Sequence, residues 1–296
     1  MKKIAIVIVN YNGADIQGEC LESLKKQTIQ NFDVIIVDNG STDDSVFKAK
    51  EIYNESIIIE THTNNGVAKG NNIGIDYALK HNYEYVLLLN NDTVLHEQLV
   101  ELLFLKSRGI YITVPKIYFH NKKDIIWFAG GNIDFNRGIV NHWGYLKKDK
   151  GQYNNDKEIK YAPTCCMLIP IYVFAKIGTM DENYFMYYDD TDFCMRLNIN
   201  LDKIGILYVS QAVLWHKVSS TAGKKSSISV YYTNRNRFYF LEKFNQYFPK
   251  RAIIYTYITR IIRYLLSFSG KTNDKYIKNA YIDYKKNAMG YCTIKK

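Results

Sequence analysis

A chain of 296 residues with 47% apolar side chains can bury one large core, which excludes a disordered protein. Its five cysteines show neither C-x-x-C spacing nor a histidine at zinc-finger distance, so five reduced thiols are expected rather than a disulfide framework or a zinc module. The net charge of +10 sits at one end: residues 217–296 carry 17 Lys and Arg against 3 Asp and Glu, whereas residues 1–216 carry 22 against 26. Such a block suits an anionic partner such as phosphate or a membrane surface, and no recognition motif accompanies it that would point to nucleic acid.

The chain opens on Met1-Lys2-Lys3 and an apolar run that Asn10 cuts short, which is not the pattern of a secretory signal; a cytoplasmic location is expected. Residues 4–9 read as a strand buried on both faces. A helix follows over 15–27, with Cys20, Leu21 and Leu24 at helical spacing, then a strand over 34–37 closed by Asp38 and a helix start at 41–44. A third strand over 57–60, a helix over 66–80 and a fourth strand over 85–89 continue the rhythm, which predicts a doubly wound α/β sheet with right-handed crossovers.

Beyond Asp92 the rhythm changes. A helix is expected over 96–106, and residues 111–145 read as short aromatic strands with hairpins at Gly130-Gly131 and Asn136-Arg137-Gly138. A mobile polar loop is expected over 147–160, a buried strand over 164–170, a short helix over 172–177, a helix from the acidic cluster through Arg196, and a strand over 212–215. The simplest division is one domain, 1–245, and a basic helical extension, 246–296. Within the extension, residues 251–268 are apolar but interrupted by Arg260 and Arg263, each costing roughly 2.5–3.5 kcal/mol at a bilayer centre. The segment is therefore expected either to lie in a membrane interface or to pack its apolar stripe on the domain.

Four strand ends stop on small polar or acidic clusters: Asn10-Tyr11-Asn12-Gly13, Asp38-Asn39-Gly40-Ser41, Asn64-Asn65-Gly66 and Asn90-Asn91-Asp92. An open parallel sheet binds ligands along that edge, so a nucleotide site is the leading expectation. Asp38 can accept from the N–H of a pyrimidine and Tyr11 can offer a ring face, although Asp-Asn-Gly also marks ordinary turns. Asp92 is the expected metal ligand, because a divalent ion bridging phosphates needs only one or two protein carboxylates; the same residue also suits a helix cap. His216, after its apolar strand, is the candidate to complete the metal or diphosphate site.

Asp189, Asp190 and Asp192 form the densest acidic cluster, beside aromatic residues that would raise their proton affinity and make one of them a base. Adjacent helical residues point about 100° apart, so Asp189 and Asp190 cannot both face one atom. Capping of the helix by acids is the alternative use. Lys217, Lys224, Lys225, Arg235 and Arg237 surround Ser219-Ser220-Thr221 and Gly223, a loop suited to folding over a diphosphate. The first loop has no G-x-G-x-x-G, which argues against a dinucleotide dehydrogenase, and it lacks the glycine- and arginine-rich loop of a nucleotidyltransferase.

Taken together, residues 4–240 resemble glycosyltransferase family 2, with the GT-A fold. The resemblance rests on Val9-Asn10-Tyr11-Asn12, on Val37-Asp38-Asn39-Gly40-Ser41-Thr42-Asp43, on the stretch from Asn65-Gly66-Val67-Ala68-Lys69-Gly70 through Asn71-Asn72-Ile73-Gly74, and on Leu89-Asn90-Asn91-Asp92, where an amide replaces the first acid of a DxD-type motif. Tyr188-Asp189-Asp190-Thr191-Asp192 resembles the Glu-Asp-x-Asp segment, with Asp189 where Glu is usual, and His216 and Arg235-Asn236 resemble the closing motifs of the rhamnosyltransferase-like branch.

The resemblance implies a mixed GT-A sheet flanked by helices, with a donor half (1–92) and an acceptor half (93–245). It implies an inverting transfer of rhamnose or another hexose from a nucleoside-diphosphate sugar to a hydroxyl of a cell-surface or lipid-linked glycan, with Mg²⁺ or Mn²⁺. Asp190 falls on the general base, Asp92 and His216 on the metal site, and Asn10, Tyr11, Asn12, Asp38, Asn65, Gly66, Lys69, Asn72, Asn91, Asp189 and Arg235 on the donor contacts. A lipid-linked acceptor would place the chain on the inner face of the cytoplasmic membrane. The competing expectation, prompted by the amide in the metal motif, is a nucleotide-sugar-binding protein with a degenerate, non-catalytic site.

Overall fold

The computed structural model describes residues 3–200, 204–218, 226–267 and 275–292. The continuous apolar runs become the centre of a ten-stranded sheet. Strands β1 (Ile4–Asn10), β2 (Phe32–Asp38), β3 (Ile57–Glu60) and β4 (Tyr85–Leu89) lie side by side in the order β3-β2-β1-β4, all parallel, joined through α1 (Gly18–Lys25), α2 (Ser45–Ile52) and α3 (Gly66–Lys80). Helix α3 reaches the sheet because two glycines one turn apart remove the side chains that would hold it off. A Cβ on Gly74 would lie 2.2 Å from Cγ1 of Val7, and one on Gly70 2.7 Å from Cγ1 of Val9.

After β4 the sheet becomes mixed, as the resemblance implies. The elements that follow are β5 (Thr93–Leu95), α4 (Leu99–Ser107), β6 (Ile112–Phe119), β7 (Lys122–Phe128), β8 (Gly131–Asp134), β9 (Ile139–His142), β10 (Lys157–Ile159) and β11 (Cys166–Pro170). Next come α5 (Tyr172–Ile177), α6 (Asp189–Asn200), β12 (Ile206–His216), α7 (Ser227–Lys243), α8 (Lys250–Leu266) and α9 (Tyr276–Lys285). Strand β11 runs antiparallel to β4, β6 and β12 run parallel to each other, and β5, β7 and β10 add antiparallel edges. A two-residue connection such as that between β6 and β7 can only reverse the chain, and inside the sheet it is β11, antiparallel between β4 and β6, that makes this half mixed.

Two expectations change here. The stretch 111–145 is not all short strands: β6 is eight residues long and lies inside the main sheet. Its Lys116 is buried because Asp149 and Asn154 accept from the ammonium at 2.9 and 2.7 Å. The same contacts fasten residues 147–160, expected as a mobile loop. Asp149 also accepts from Tyr118, Asp156 accepts from the N–H and O–H of Ser210, and β10 joins the sheet. The cysteines are free thiols, as expected.

The last helices build a smaller core of their own. Helix α7 packs on α9, enclosing Tyr231, Tyr232, Tyr276, Ile277 and Ala280 with Phe185. No helix among the described residues is long and apolar enough to cross a membrane.

Candidate active site

Strand register sets the first wall of the site. Asn10 and Asp38 end adjacent parallel strands as direct partners, and Asn10 is the hub between them. Its Nδ2 donates to Asp38 Oδ1 (3.1 Å) and to Ser41 Oγ (3.2 Å), while its Oδ1 accepts from Asn91 Nδ2 (2.9 Å). Asp38 is buried, and both of its oxygens accept from Ser41, Oδ1 from the hydroxyl at 2.6 Å and Oδ2 from the backbone N–H at 3.0 Å. Asp38, expected to meet a base, is thus engaged by Ser41 and Asn10 and is not among the residues that line the cavity beside it.

The wall faces a cavity of about 230 Å³. Tyr11 projects into it from the first loop, Asn90, Asn91 and Asp92 line it from the end of β4, and Asn64, Gly66 and Asn71 from the start of α3. Phe185 and Met186 close the opposite side. Gly66 is required there, since its φ is +81° and a Cβ would lie 2.3 Å from the Phe185 carbonyl. That carbonyl accepts from the Val67 N–H at 2.7 Å, which stitches α3 to the far wall.

The other expected donor residues are engaged elsewhere. Asn12 is bonded to Ser41 and Thr42, Asn65 to the Thr63 carbonyl, and Lys69 lies 3.7 Å from Glu182. Asn72 turns to the backbone of Met180, donating to its carbonyl at 2.9 Å and accepting from its N–H at 2.8 Å. Adjacent helical positions diverge by about 100°, so Asn71 takes the cavity side that the expectation gave to Asn72. Its shared face with Val67, one turn earlier, is the signal that could have found it.

Arg235 is fully buried rather than turned to a diphosphate. Its guanidinium lies over the rings of Tyr231 and Tyr232, and Nη1 donates to the Ala288 carbonyl at 3.2 Å. Arg237 is also buried and donates to the Arg137 carbonyl and to Thr256 Oγ1. Lys217 pairs with Glu19 at 2.9 Å. Residues 219–225 of the expected basic loop lie outside the described residues.

Asp92 and His216 meet because β5 pairs with the end of β12 in antiparallel register, Thr93 opposite His216. His216 Nε2 lies 3.0 Å from Asp92 Oδ1, and both residues are buried. Burial alone would lower the imidazolium's pKa; the neighbouring Cys165 and Asp92 more than offset it and push His216 up to about 10. Trp127 stands edge-on to His216 at 4.8 Å and to His142 at 4.9 Å, and His142 lies 5.5 Å from Tyr161.

Tyr161 leads to the acids. Its hydroxyl donates to Asp190 Oδ2 at 2.8 Å, and Asp190 Oδ1 accepts from the N–H and O–H of Thr191. Burial raises the Asp190 carboxyl even though these bonds favour its charge. Asp189 is more deeply buried, its Oδ2 has no hydrogen-bond partner among the described residues, and burial followed by the charge of Asp190 pushes it up to about 7. Asp192 is structural: Arg196, Lys243 and Tyr184 all donate to it. The turn before the acids holds Tyr187 and Tyr188 at φ of 65° and 73°, and buried Asn236 fixes it by donating to the carbonyls of Met186 (2.8 Å) and Tyr187 (2.9 Å).

The residues fit a divalent ion in part. Asp92 offers one donor and His216 a second only once it gives up the proton that its neighbours Cys165 and Asp92 favour, and among the described residues no group of three or more His, Cys, Asp or Glu could hold a metal. Two protein donors suit an ion that keeps waters and takes substrate phosphate oxygens.

The family model described as glycosyl transferase family 2 matches residues 5–178. The chain is 30% identical over 238 residues to the low-salt glycan biosynthesis hexosyltransferase Agl10 of Haloferax volcanii, covering 79% of this chain and 74% of that one. It is 28% identical over 128 residues to the glycosyltransferase GlyG of Streptococcus pneumoniae serotype 4, covering 41% of each. Among solved structures, GalNAc-T7 with UDP, GalNAc and Mn²⁺ superposes with a TM-score of 0.60 at 13% identity, over 82% of this chain and 48% of that one. S. aureus TarS 1-349 in complex with UDP superposes at 0.52 and 16% identity, over 96% and 91%. The mixed sheet flanked by helices is thus the GT-A fold.

Proposed function

Because the chain belongs to glycosyl transferase family 2 and is a glycosyltransferase, we propose that it moves rhamnose or another hexose from a nucleoside-diphosphate sugar to a hydroxyl of a growing cell-surface or lipid-linked glycan, with inversion. The observation that supports this reading is that the segment 161–165 touches both carboxylate centres, although Asp92 lines the cavity and Asp190 does not. Tyr161 donates to Asp190, and Cys165 lies against His216, the partner of Asp92.

In this reading Tyr11 offers its ring to the base, and the amides of the strand-end wall hold the donor. The acceptor hydroxyl attacks the anomeric carbon opposite the diphosphate; the new C–O bond forms as the bond to the diphosphate oxygen breaks, and Asp190 takes the hydroxyl proton. Asp190 suits this better than Asp189 because it is only partly buried, so a hydroxyl can reach it; the raised proton affinity that favours accepting a proton is common to both. Asp92 and His216 would hold Mg²⁺ or Mn²⁺, which when bound supplies positive charge for the departing diphosphate.

A thermal-shift screen of nucleoside diphosphates and their sugars, with and without Mn²⁺, followed by donor consumption with glycan acceptors, tests the proposal. Stabilisation by one nucleotide, greater with Mn²⁺, and acceptor-dependent donor consumption are expected. Nucleotide binding with no turnover on any acceptor would restore the binding-only reading.

A further inference from the structure

A surface helix ordinarily turns its apolar stripe toward the core. Helix α8 does the reverse. Ile254, Ile258, Ile261, Ile262, Leu265 and Leu266 recur at helical spacing and are between 49% and 65% exposed. The opposite face is the one that packs: Ala252 and Thr256 are fully buried, Thr256 Oγ1 accepts from Arg237 at 2.9 Å, and Arg260 Nε donates to Asn234 Oδ1 at 2.8 Å. Of the two expectations for residues 251–268, packing of the aliphatic stripe on the domain is therefore not what the described residues do. A contiguous outward aliphatic face of this size marks an interaction surface.

Charge identifies what covers it. After residue 243 the sequence holds eleven Lys and Arg against two acids, Asp274 and Asp283. Lys250 and Arg251 stand exposed at the head of α8, and Lys275, Lys278, Lys285 and Lys286 are exposed on and beside α9. A second copy of this chain set stripe to stripe carries the same cations and would leave them without counter-charge, whereas an anionic lipid surface neutralises them and receives the aliphatic side chains at once. We propose that α8 is a docking surface that lays its outward Ile and Leu face into the headgroup region of an anionic bilayer. The proposal stands apart from the reaction assigned to the cleft. Its consequence reaches the cleft nonetheless, because α8 is fastened to α7, whose Asn236 holds the turn before Asp189 and Asp190.

The test is co-sedimentation of the full chain with phosphatidylcholine vesicles, with and without phosphatidylglycerol, for the wild type and for Ile258→Asp/Leu265→Asp. Both positions are exposed, so the variant is expected to keep the wild-type melting temperature, measured in parallel. The wild type is expected to sediment with phosphatidylglycerol vesicles and about tenfold less without that lipid or at high salt, and the variant to bind about tenfold more weakly. A wild type that stays in the supernatant, a variant that sediments equally well, or a wild-type dimer that the variant dissociates in the absence of vesicle binding would each overturn the proposal, the last by assigning the face to a second copy.

Discussion

On the wall built from the ends of β1, β2 and β4, polar side chains are tied to one another: Asn10 joins Asp38, Ser41 and Asn91 in a single network. Beyond Phe185 and Met186, the first turn of α6 holds one buried and one half-buried carboxyl, the former with an oxygen that has no hydrogen-bond partner among the described residues, behind two tyrosines at positive φ. A satisfied network is rigid and presents fixed groups to a ligand, whereas carboxyls kept out of water hold protons more tightly. The contrast separates binding from chemistry, so substitutions on the two walls should damage different kinetic constants.

The largest expected effect is on the second wall. Asp190→Asn should lower turnover by roughly 10²–10⁴-fold, the usual contribution of a positioned base, while nucleotide affinity in a thermal-shift titration stays unchanged. Turnover within a few fold of wild type would end the assignment of chemistry to this wall. The mirror experiment is Asn10→Ala. It leaves the side chains of Asp38, Ser41 and Asn91 short of a partner, at about 1–3 kcal/mol for a buried group left unsatisfied. A lower melting temperature and a raised KM for the donor are expected, with kcat at saturating donor much less affected. A fall in kcat alone would show that the two walls are not separable.

A smaller effect tests whether the strained turn belongs with the acids. Asn236→Ala removes both donors from the Met186 and Tyr187 carbonyls and frees the backbone that aims Asp190. About a tenfold drop in kcat is expected, with donor KM retained, for a loss on the order of 1–2 kcal/mol. Equal losses in kcat and nucleotide affinity would instead assign Asn236 to the stability of the whole cleft.

The sequence made some of this comparison legible. Strands β1, β3 and β4 and helix α3 were readable because their apolar runs and flanking Gly and Asn residues are local signals. The polar strand ends followed from them. The sequence named Asp92 and His216 together as metal-site candidates, but not how they meet: the antiparallel register of β5 and β12 joins residues more than a hundred positions apart and leaves no local trace. Lys116 reads as a surface residue until Asp149 and Asn154, over thirty positions later, neutralise it. Arg235 misled for a similar reason: its charge suggested a ligand contact, but two tyrosine faces and a backbone carbonyl carry it into the interior. Short-range pattern located the edge of the site, and long-range pairing decided which side chains reached it.

The smallest expected effect is in stability and has a definite sign. Asp189 is raised from the ordinary carboxylate range to about 7, so between about pH 4 and pH 7 the folded chain binds more protons at this site than the unfolded chain. The contribution is fully present below the unfolded value and is lost as pH rises through the folded one. Asp189→Asn cannot lose it. The amide brings its own penalty for a buried group with an unmatched donor, but that penalty is independent of pH. The readout is therefore the difference in melting temperature between Asp189→Asn and wild type, which should move in favour of the variant between pH 5 and pH 8. Repeating the comparison in an Asp190→Asn background should shrink the shift, because the charge that helps to raise Asp189 is gone. A difference that is flat with pH would mean that Asp189 is solvated or partnered in solution, and the contrast between the two walls would then rest on Asp190 alone.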